Sequence, residues 1–366
     1  MSVSTSELAR LTVRLPAIAS NYRLCRRLAG PAAVAGVVKA EAYGLGMVPV
    51  ARTLSEAGCD TFFVARIDEG IALRPAVPEA RIFVLDGVRA ETVAALLAHR
   101  LTPVLNSLDE IALWQRAAKE GRTSFDAAVH VDTGMSRLGL PGAELSRLAA
   151  EANTRLAHLR LVLVMSHLAC ADDPDARMNG RQLARFREAL AMLPPAPASF
   201  ASTGGILLGK AYAFDLVRPG IGLYGGNPHA GAKNPFAVAA ALTGRILQLR
   251  RVDKGESVGY GATFVAARDT ALATVALGYA DGIMRAIGNR GEGAIAGHRV
   301  PVAGRVSMDL TTLDVTDLPG VRVGQEVEFF GDTVALEEIA SAAGTANYEI
   351  LTGIGSRVPR HYVEAA

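Results

Sequence analysis

Short apolar runs recur along residues 33–225 and alternate with segments in which apolar residues have helical spacing. Runs of this length, bounded by Gly and Pro, are typical of buried strands, and the Ala- and Leu-rich segments between them are typical of helices. The runs lie at residues 33–38, 61–65, 81–85, 103–105, 127–131, 161–165, 197–201 and 216–217, the last leading into 220–224. Eight strands alternating with helices predict an α/β protein with a (β/α)8 barrel. An open doubly wound sheet fits nearly as well on period alone, although no G-x-G-x-x-G follows the first strand.

The pattern changes after about residue 228, where short alternating strands with Gly, Asp and Pro turns replace the barrel units. These strands are predicted at residues 243–252, 271–277, 298–306, 310–315 and 321–329, with one helix at 336–343. Near the start, residues 11–15 alternate as a strand before helical spacing over residues 17–28. We therefore expect three parts, which are an N-terminal strand in residues 1–14 that joins the β domain, a barrel of residues 15–230, and a mostly β C-terminal domain of residues 231–366.

Length and composition agree with two domains and limit the partners. The 366 residues suit a barrel of about 250 residues with a second domain of about 120. A net charge of +2 with scattered basic residues favours neither nucleic acid nor a membrane as a partner. No transmembrane run or signal peptide is evident, so we expect a soluble, cytoplasmic protein. Cys25, Cys59 and Cys170 have unrelated spacings, which indicates reduced thiols rather than a disulfide framework or a metal site.

Lys39 directly follows the first apolar run and precedes a turn that contains Tyr43, Gly44 and Gly46. A lysine at the end of a buried strand is partly desolvated, which lowers the pKa of its ammonium group from about 10.4. The resulting neutral amine can attack an aldehyde to form a Schiff base, and pyridoxal phosphate is the usual carbonyl partner. A single lysine would also be compatible with an exposed strand end.

Other predicted strand ends carry polar residues, and the active site of a (β/α)8 barrel lies at such ends. Arg137 follows the fifth strand within the sequence D-T-G-M-S-R-L-G, and its guanidinium suits a carboxylate or a phenolate. His167 follows the sixth strand. Ser202, Thr203 and two glycines follow the seventh, a combination that can bind phosphate through backbone N–H groups.

The stretch around Lys39 resembles the lysine motif of alanine racemases, which are fold-type III pyridoxal-phosphate enzymes with a (β/α)8 barrel and a β domain. Family members usually have Asn in place of Glu41 and His in place of Leu45. The resemblance extends over about residues 11–362. It implies that Lys39 binds pyridoxal 5′-phosphate as a Schiff base.

The resemblance also implies roles for other barrel residues. Arg137 would face the 3-hydroxyl group of the cofactor and the substrate carboxylate, and His167 would lie against the pyridine ring. Arg218 would bond the pyridine nitrogen. Because a guanidinium does not give up its proton, the ring would stay a weak electron sink, which favours return of the proton over transamination. Contacts that hold the phosphate are implied for Tyr43, Thr203, Gly220, Ile221 and Tyr348.

The C-terminal region contains G-Y-G-A-T-F, L-G-Y-A-D-G, S-M-D-L and A-N-Y-E, which match the family in this order. The match implies Tyr260 as the second acid/base, with Tyr279 and Met308 near the substrate. Racemisation needs one group on each face of the α-carbon, and Lys39 and Tyr260 would fill these places. The resemblance further implies a homodimer in which Tyr260, Tyr279 and Met308 reach the other subunit's Lys39. The mouth of the site would be lined by Arg285, Arg305 and Asp172.

His130 departs from the family in a way that bears on Arg137. Many members have at this position a lysine whose carbamate orients the arginine that corresponds to Arg137, and imidazole cannot be carbamylated in that way. We predict that His130 is neutral and is satisfied by its strand neighbours. A side-chain carboxylate, a backbone carbonyl or a bound anion would then position Arg137.

The resemblance predicts interconversion of L-alanine and D-alanine by Lys39 and Tyr260, which would provide D-alanine for the bacterial cell wall. A broad-specificity amino-acid racemase is an alternative. A barrel-fold amino-acid decarboxylase is a second, but those enzymes place a carboxylate at the pyridine nitrogen where this chain has Arg218. A non-catalytic pyridoxal-phosphate-binding barrel is a third, and Tyr260 and the residues that follow Pro228 argue against it.

Overall fold

The computed structural model describes residues 7–229 and 231–364. Residues 1–6, which belong to the predicted N-terminal segment, and residues 230, 365 and 366 lie outside the described residues. Among the helices of the described ranges, none combines the length and the apolar character that crossing a membrane would require.

A parallel barrel forms the first large unit of the chain, and its first strand is divided in two at Ala35. Ala33–Val34 pairs with the last barrel strand, Leu216–Arg218, whereas Gly36–Val37 pairs with Thr61–Val64. The two ends of the sheet therefore meet in one divided strand, which confirms the predicted barrel and excludes the open sheet. The remaining strands are Arg81–Val84, Leu101–Leu105, Phe125–His130, Leu159–Met165 and Ala198–Ser202.

Helices cover the outside of the barrel, and Leu108–Glu120 illustrates why they form. It begins after Ser107, whose hydroxyl accepts a hydrogen bond from the N–H of Glu110 at 3.2 Å, and it buries Ile111 and Trp114 against the barrel. The other helices of this unit are Leu15–Ala29, Met47–Glu56, Ile67–Leu73, Val93–Ala98, Gly142–Ala150, Ala152–Arg155, Arg177–Met192 and Thr203–Leu208. Lys39–Tyr43 forms one further turn, in which Ala40, Glu41 and Ala42 depart from right-handed helical φ and ψ. Short 3₁₀ helices span Ala90–Thr92, Lys210–Tyr212 and Ile221–Tyr224.

The C-terminal region is mostly β, and its longest strand, Ala240–Val252, is central to an eight-stranded sheet. The N-terminal strand Ala9–Arg14 lies between this strand, with which it is antiparallel, and Arg360–Val363, with which it is parallel. Further strands are Ser257–Val258, Phe264–Val265, Thr270–Val275, Glu292–Ile295, His298–Pro301, Thr311–Asp314 and Glu326–Phe330. Helices Leu336–Ala343 and Asn347–Thr352 and the 3₁₀ helices Tyr260–Ala262 and Arg285–Ile287 complete the region.

Three predicted strands differ from the structure. The strand expected over residues 321–329 begins only at Glu326, after a turn in which Gly324 has a φ of +84°. The strand expected over residues 298–306 ends at Pro301, since Gly304 has a φ of +82° and turns the chain away. Residues 220–224, expected to continue the last barrel strand, contain the 3₁₀ helix Ile221–Tyr224, because Gly220, with a φ of −124° and a ψ of −83°, leaves the extended conformation.

Candidate active site

A cavity of about 1010 Å³ lies at the C-terminal ends of the barrel strands and is covered by the helices Leu336–Ala343 and Asn347–Thr352. Its size and its mixed lining are typical of small-molecule sites. It is lined by nine residues to which the resemblance assigns cofactor or substrate contacts, and by His130, Asp172 and Ser202. The nine are Lys39, Tyr43, Arg137, His167, Thr203, Arg218, Gly220, Ile221 and Tyr348.

Tyr260, Tyr279 and Met308 do not line this cavity. They lie on the surface of the β domain, with exposed fractions of 68%, 42% and 54%. The structure of the single chain thus assembles the predicted cofactor residues and keeps the predicted second acid/base apart from them. Arg305 lies beside this exposed group, since a Cβ at Gly261 would come within 2.9 Å of its guanidinium.

The turn that follows Lys39 has a left-handed conformation. Ala40, Glu41, Ala42 and Tyr43 all have φ between +51° and +58°, a region that residues with a Cβ rarely adopt. The N–H of Ala40 donates to Oε1 of Glu69 at 2.6 Å, which holds the start of the turn against the helix Ile67–Leu73. Such a run costs free energy, so its presence at a predicted reactive lysine indicates a functional constraint.

Lys39 lies at the cavity wall in surroundings that favour its neutral amine. Burial lowers the pKa of its ammonium group, and the charge of Arg137 lowers it further. The carboxylates of Glu69 and Asp86 act in the opposite direction without cancelling the effect. A lysine with a lowered pKa can act as a nucleophile and as a base near neutral pH.

Arg218 is buried and lines the cavity. Its Nη1 donates to the Ser199 hydroxyl, and its Nη2 donates to the Ser166 carbonyl at 2.7 Å and to Nδ1 of His167 at 3.4 Å. Burial lowers the pKa of Arg218 to about 9, so the group is still a cation at neutral pH. Burial and the charge of Arg218 hold the pKa of His167 well below its usual value, so His167 is neutral and accepts through Nδ1.

Thr203 and Gly220 form a compact polar corner of the cavity, which we call the Thr203 corner. The Thr203 hydroxyl oxygen accepts hydrogen bonds from the N–H groups of Gly220 at 3.1 Å and Gly222 at 3.2 Å. The Tyr43 hydroxyl lies so close to Gly220 that a Cβ there would overlap it. Burial raises the pKa of Tyr43 and raises that of Tyr348 to about 12, so both phenols keep their protons and can donate to an anion.

His130 is buried, and its Nδ1 lies 2.9 Å from Oδ1 of Asn106, which follows the neighbouring strand. Burial is the main cause that lowers the pKa of His130 to about 4, so the imidazole is neutral, in agreement with the sequence prediction. Sequence reasoning missed Asn106, although its place directly after the strand Leu101–Leu105 was a signal that could have identified it. Within the described ranges, the guanidinium of Arg137 forms neither a hydrogen bond nor an ion pair.

Comparison with known proteins finds matches along nearly the whole chain. Residues 13–228 match the family described as "Alanine racemase, N-terminal domain", and residues 239–362 match "Alanine racemase, C-terminal domain". The alanine racemase of Rhodospirillum rubrum is 50% identical over 97% of this chain and 96% of its own length. A catabolic alanine racemase of Agrobacterium fabrum is 47% identical over 97% of this chain and 92% of its own.

Solved structures show the same similarity. The alanine racemase of Bartonella henselae, with covalently bound pyridoxal phosphate, has a TM-score of 0.93 and 38% identity and covers 97% of this chain and 99% of its own. The alanine racemase of Bacillus anthracis with bound L-Ala-P has a TM-score of 0.86 and 29% identity, and the match covers 98% of this chain and 95% of that chain. The fold and the cavity define a class of enzymes that combine a barrel and a β domain and carry a lysine at the end of the first barrel strand. The chain belongs to the alanine racemase family, which is a family of isomerases.

Proposed function

We propose that this protein interconverts L-alanine and D-alanine with pyridoxal 5′-phosphate as its cofactor. The observation that carries the proposal is the convergence of Lys39, Arg218 and the Thr203 corner on one cavity, in a chain that matches the family over nearly its whole length. In this proposal the barrel of residues 15–230 binds the cofactor. The C-terminal domain of residues 231–366, joined by the strand of residues 1–14, supplies the second acid/base.

The cavity residues suit each part of the proposed cofactor. The backbone at Gly220 and Ile221, the Thr203 hydroxyl and the phenols of Tyr43 and Tyr348 would hold the phosphate. This assignment is supported by the meeting of the Thr203 and Tyr43 hydroxyls at Gly220, where a Cβ would overlap the Tyr43 hydroxyl. Arg218 would face the pyridine nitrogen, and His167 would lie against the ring. Both remain able to do so because the cation and the neutral imidazole persist at neutral pH.

Arg218 also bears on the reaction type. Even with a pKa near 9 it keeps its proton in the presence of a far less basic pyridine nitrogen, so it does not strengthen the ring as an electron sink. Within the described part of the chain, no carboxylate contacts Arg218. This argues for racemisation over decarboxylation, because the decarboxylase alternative needs an acidic group at that place.

Two residues of the chain would move the α-proton. Pyridoxal 5′-phosphate, when bound, supplies an electrophilic carbonyl for the amino group and draws electrons from the α-carbon. Lys39, as a neutral amine, removes or returns the proton on one face, and Tyr260 does so on the other. Arg137 holds the substrate carboxylate, with Tyr279 and Met308 beside the substrate.

The exposure of Tyr260, Tyr279 and Met308 supports a homodimer with shared sites. These side chains are exposed and do not line the cavity of their own chain, which contains Lys39. A second copy of the chain would bring them over the cavity mouth, and symmetry would complete both sites at once. The D-alanine formed would serve the bacterial cell wall, and rescue of a D-alanine-requiring bacterium by this chain would test that role.

The direct test is a racemisation assay over small L-amino acids while the cofactor absorbance is recorded. We expect a yellow protein that interconverts alanine enantiomers faster than those of any larger amino acid and releases no carbon dioxide. Lys39→Ala is the matched control and should be inactive while still folded. Cofactor-loaded protein that leaves alanine unchanged, or that forms ethylamine, would contradict the proposal.

A further inference from the structure

His130 lines the cavity, but the proposed reaction gives it no role. It ends the strand Phe125–His130, and only 8% of the residue is accessible. A buried polar side chain requires hydrogen-bond partners, and a histidine has two ring nitrogens for which they must be found. Nδ1 has a hydrogen-bond partner in the protein, whereas Nε2 has none among the described residues.

Asn106 determines which nitrogen of His130 carries the proton. The amide nitrogen of Asn106 donates to the carbonyls of Leu85 at 3.1 Å and Val104 at 2.8 Å, so both of its hydrogens are used. Its Oδ1 is therefore the atom that faces Nδ1 of His130, at 2.9 Å. An amide oxygen can only accept, so Nδ1 carries the hydrogen.

The other ring nitrogen, Nε2, is consequently an acceptor. A neutral imidazole has one N–H, and that one is directed at Asn106. Within the described residues, Nε2 of His130 has no hydrogen-bond partner, and it is not among the side-chain atoms that are sealed from solvent without one. Its lone pair is thus open toward the cavity.

The loop that carries Arg137 lies against the same edge of the ring. A Cβ at Gly139 would come within 3.1 Å of Cδ2 of His130, the atom bonded to Nε2. The N–H of Leu140 donates to the His130 carbonyl at 2.8 Å, which anchors the far end of the loop. The near end is held by Asp132, whose Oδ1 accepts from the N–H of Gly134 at 2.8 Å.

Of the two arginines near His130, Arg137 is the one whose guanidinium has unused hydrogen-bond donors. Arg218, the other cation beside His130, already uses Nη1 on Ser199 and Nη2 on Ser166 and His167. The loop of Arg137 is fixed by the Asp132 carboxylate rather than by the guanidinium, which has no partner in the described part of the chain. Its five N–H donors are therefore available.

We propose that His130 is a positioning residue. When a carboxylate enters the cavity, the Arg137 guanidinium, which has no partner in the described residues of this structure, donates a hydrogen bond to Nε2 of His130 and is thereby held toward that carboxylate. Asn106 acts through His130 by fixing the tautomer. The proposal differs from the sequence expectation that a carboxylate, a carbonyl or an anion positions Arg137. It rests on the proposed function only in taking the carboxylate to be that of alanine.

The tautomer can be measured without any turnover. In holoenzyme labelled with ¹⁵N-histidine, we expect a pyrrole-type signal for Nδ1 of His130 and a pyridine-type signal for Nε2. His229 is the internal reference, because its Nε2 lies 2.9 Å from the Ala171 carbonyl and must carry the hydrogen. His130→Gln assigns the signal by its disappearance. A protonated Nε2 on His130 would overturn the proposal.

Carboxylate binding tests the positioning role. Propionate, which is alanine without its amino group, is titrated into holoenzyme by calorimetry. His130→Leu removes the acceptor and should weaken binding at least about tenfold, as expected for a lost hydrogen bond to a charged group. His130→Gln, whose amide oxygen can accept, should restore most of it. His99→Leu, at the opposite end of the strand Leu101–Leu105, is the control and should bind as the wild type does.

Thermal unfolding and cofactor absorbance should be similar in His130→Leu and His130→Gln, so a difference in propionate affinity reports positioning. Equal affinities in these two variants, or full affinity in His130→Leu, would overturn the proposal. Failure of the proposed function has a different signature, since wild-type holoenzyme would then leave alanine unracemised whatever the tautomer of His130.

Discussion

Arg360, in the last strand of the β domain, donates from Nε to the carbonyl of Gly44 at 3.2 Å, in the turn that follows Lys39. Tyr362, two residues on, donates its hydroxyl to the carbonyl of Leu45 at 3.1 Å. The strand that contains both is paired with the N-terminal strand, so the β domain contacts the lysine turn directly. The conformation of that turn thus depends on both parts of the chain.

We predict that Arg360→Met lowers the free energy of unfolding by about 2 to 4 kcal/mol, since several carbonyls lose a charged donor. In addition to the Gly44 carbonyl, its guanidinium donates hydrogen bonds to the carbonyls of Ile354, Gly355 and Val358. Urea denaturation measures the change. Arg268→Met, which removes an exposed ion pair with Asp317, is the control and should alter stability little. Similar losses of unfolding free energy in the two variants would show that the hydrogen bonds of Arg360 do not stabilise the protein more than an exposed ion pair does.

The lysine turn also shows what the sequence could and could not predict. Apolar runs locate the barrel strands because a buried strand needs an unbroken apolar segment, and the strand-end rule then places Lys39, Arg137 and Arg218 together. The left-handed run at residues 40–43 has no local signal, because alanine favours the right-handed helix. It is held by Glu69 and Arg360, which are distant in sequence.

Our second prediction is that borohydride reduction of the holoenzyme attaches the cofactor irreversibly to Lys39. The lowered pKa of that residue and its place on the cavity wall are the physical reasons. Peptide mapping by mass spectrometry should find the label on this residue alone. Lys210→Arg, at an exposed position, should label as the wild type does, and Lys39→Arg should not. A label on another lysine would remove Lys39 from its proposed role.

Shared sites lead to the third prediction. Mixed Lys39→Ala and Tyr260→Phe subunits should regain about a quarter of the wild-type activity, because half of randomly paired dimers contain one intact site of two. A racemisation assay after reversible dissociation measures the recovery. Lys39→Ala mixed with Arg218→Ala is the control, since both changes affect the same cavity and no intact site can form. Recovery absent from the first mixture would contradict a site built from two chains.

The fourth prediction concerns the two faces of the α-carbon. Tyr260→Phe should abolish racemisation yet allow exchange of the α-proton with solvent for one enantiomer, because Lys39 still serves its own face. Deuterium incorporation into L-alanine and D-alanine in heavy water, followed by NMR, measures this. Tyr212→Phe, in a helix on the outside of the barrel, should leave both reactions intact. Equal exchange of both enantiomers by Tyr260→Phe would rule out the two-base scheme.

The last prediction follows from the pKa of His130, which is about 4 in the folded protein against 6.5 for an ordinary histidine. Between these values the unfolded chain binds a proton that the folded chain excludes, so stability is lost as the pH falls from 6.5 toward 4. The loss of stability from this residue has a slope of up to about 1.4 kcal/mol per pH unit and totals about 3 kcal/mol at most.

His130→Gln removes the titration, so the stability of this variant should fall less steeply than that of the wild type between pH 6.5 and pH 4. Urea denaturation at successive pH values gives both slopes, and His298→Gln, at an exposed strand position, is the control that should follow the wild type. Parallel slopes for His130→Gln and the wild type would mean that folding does not hold His130 in its neutral form.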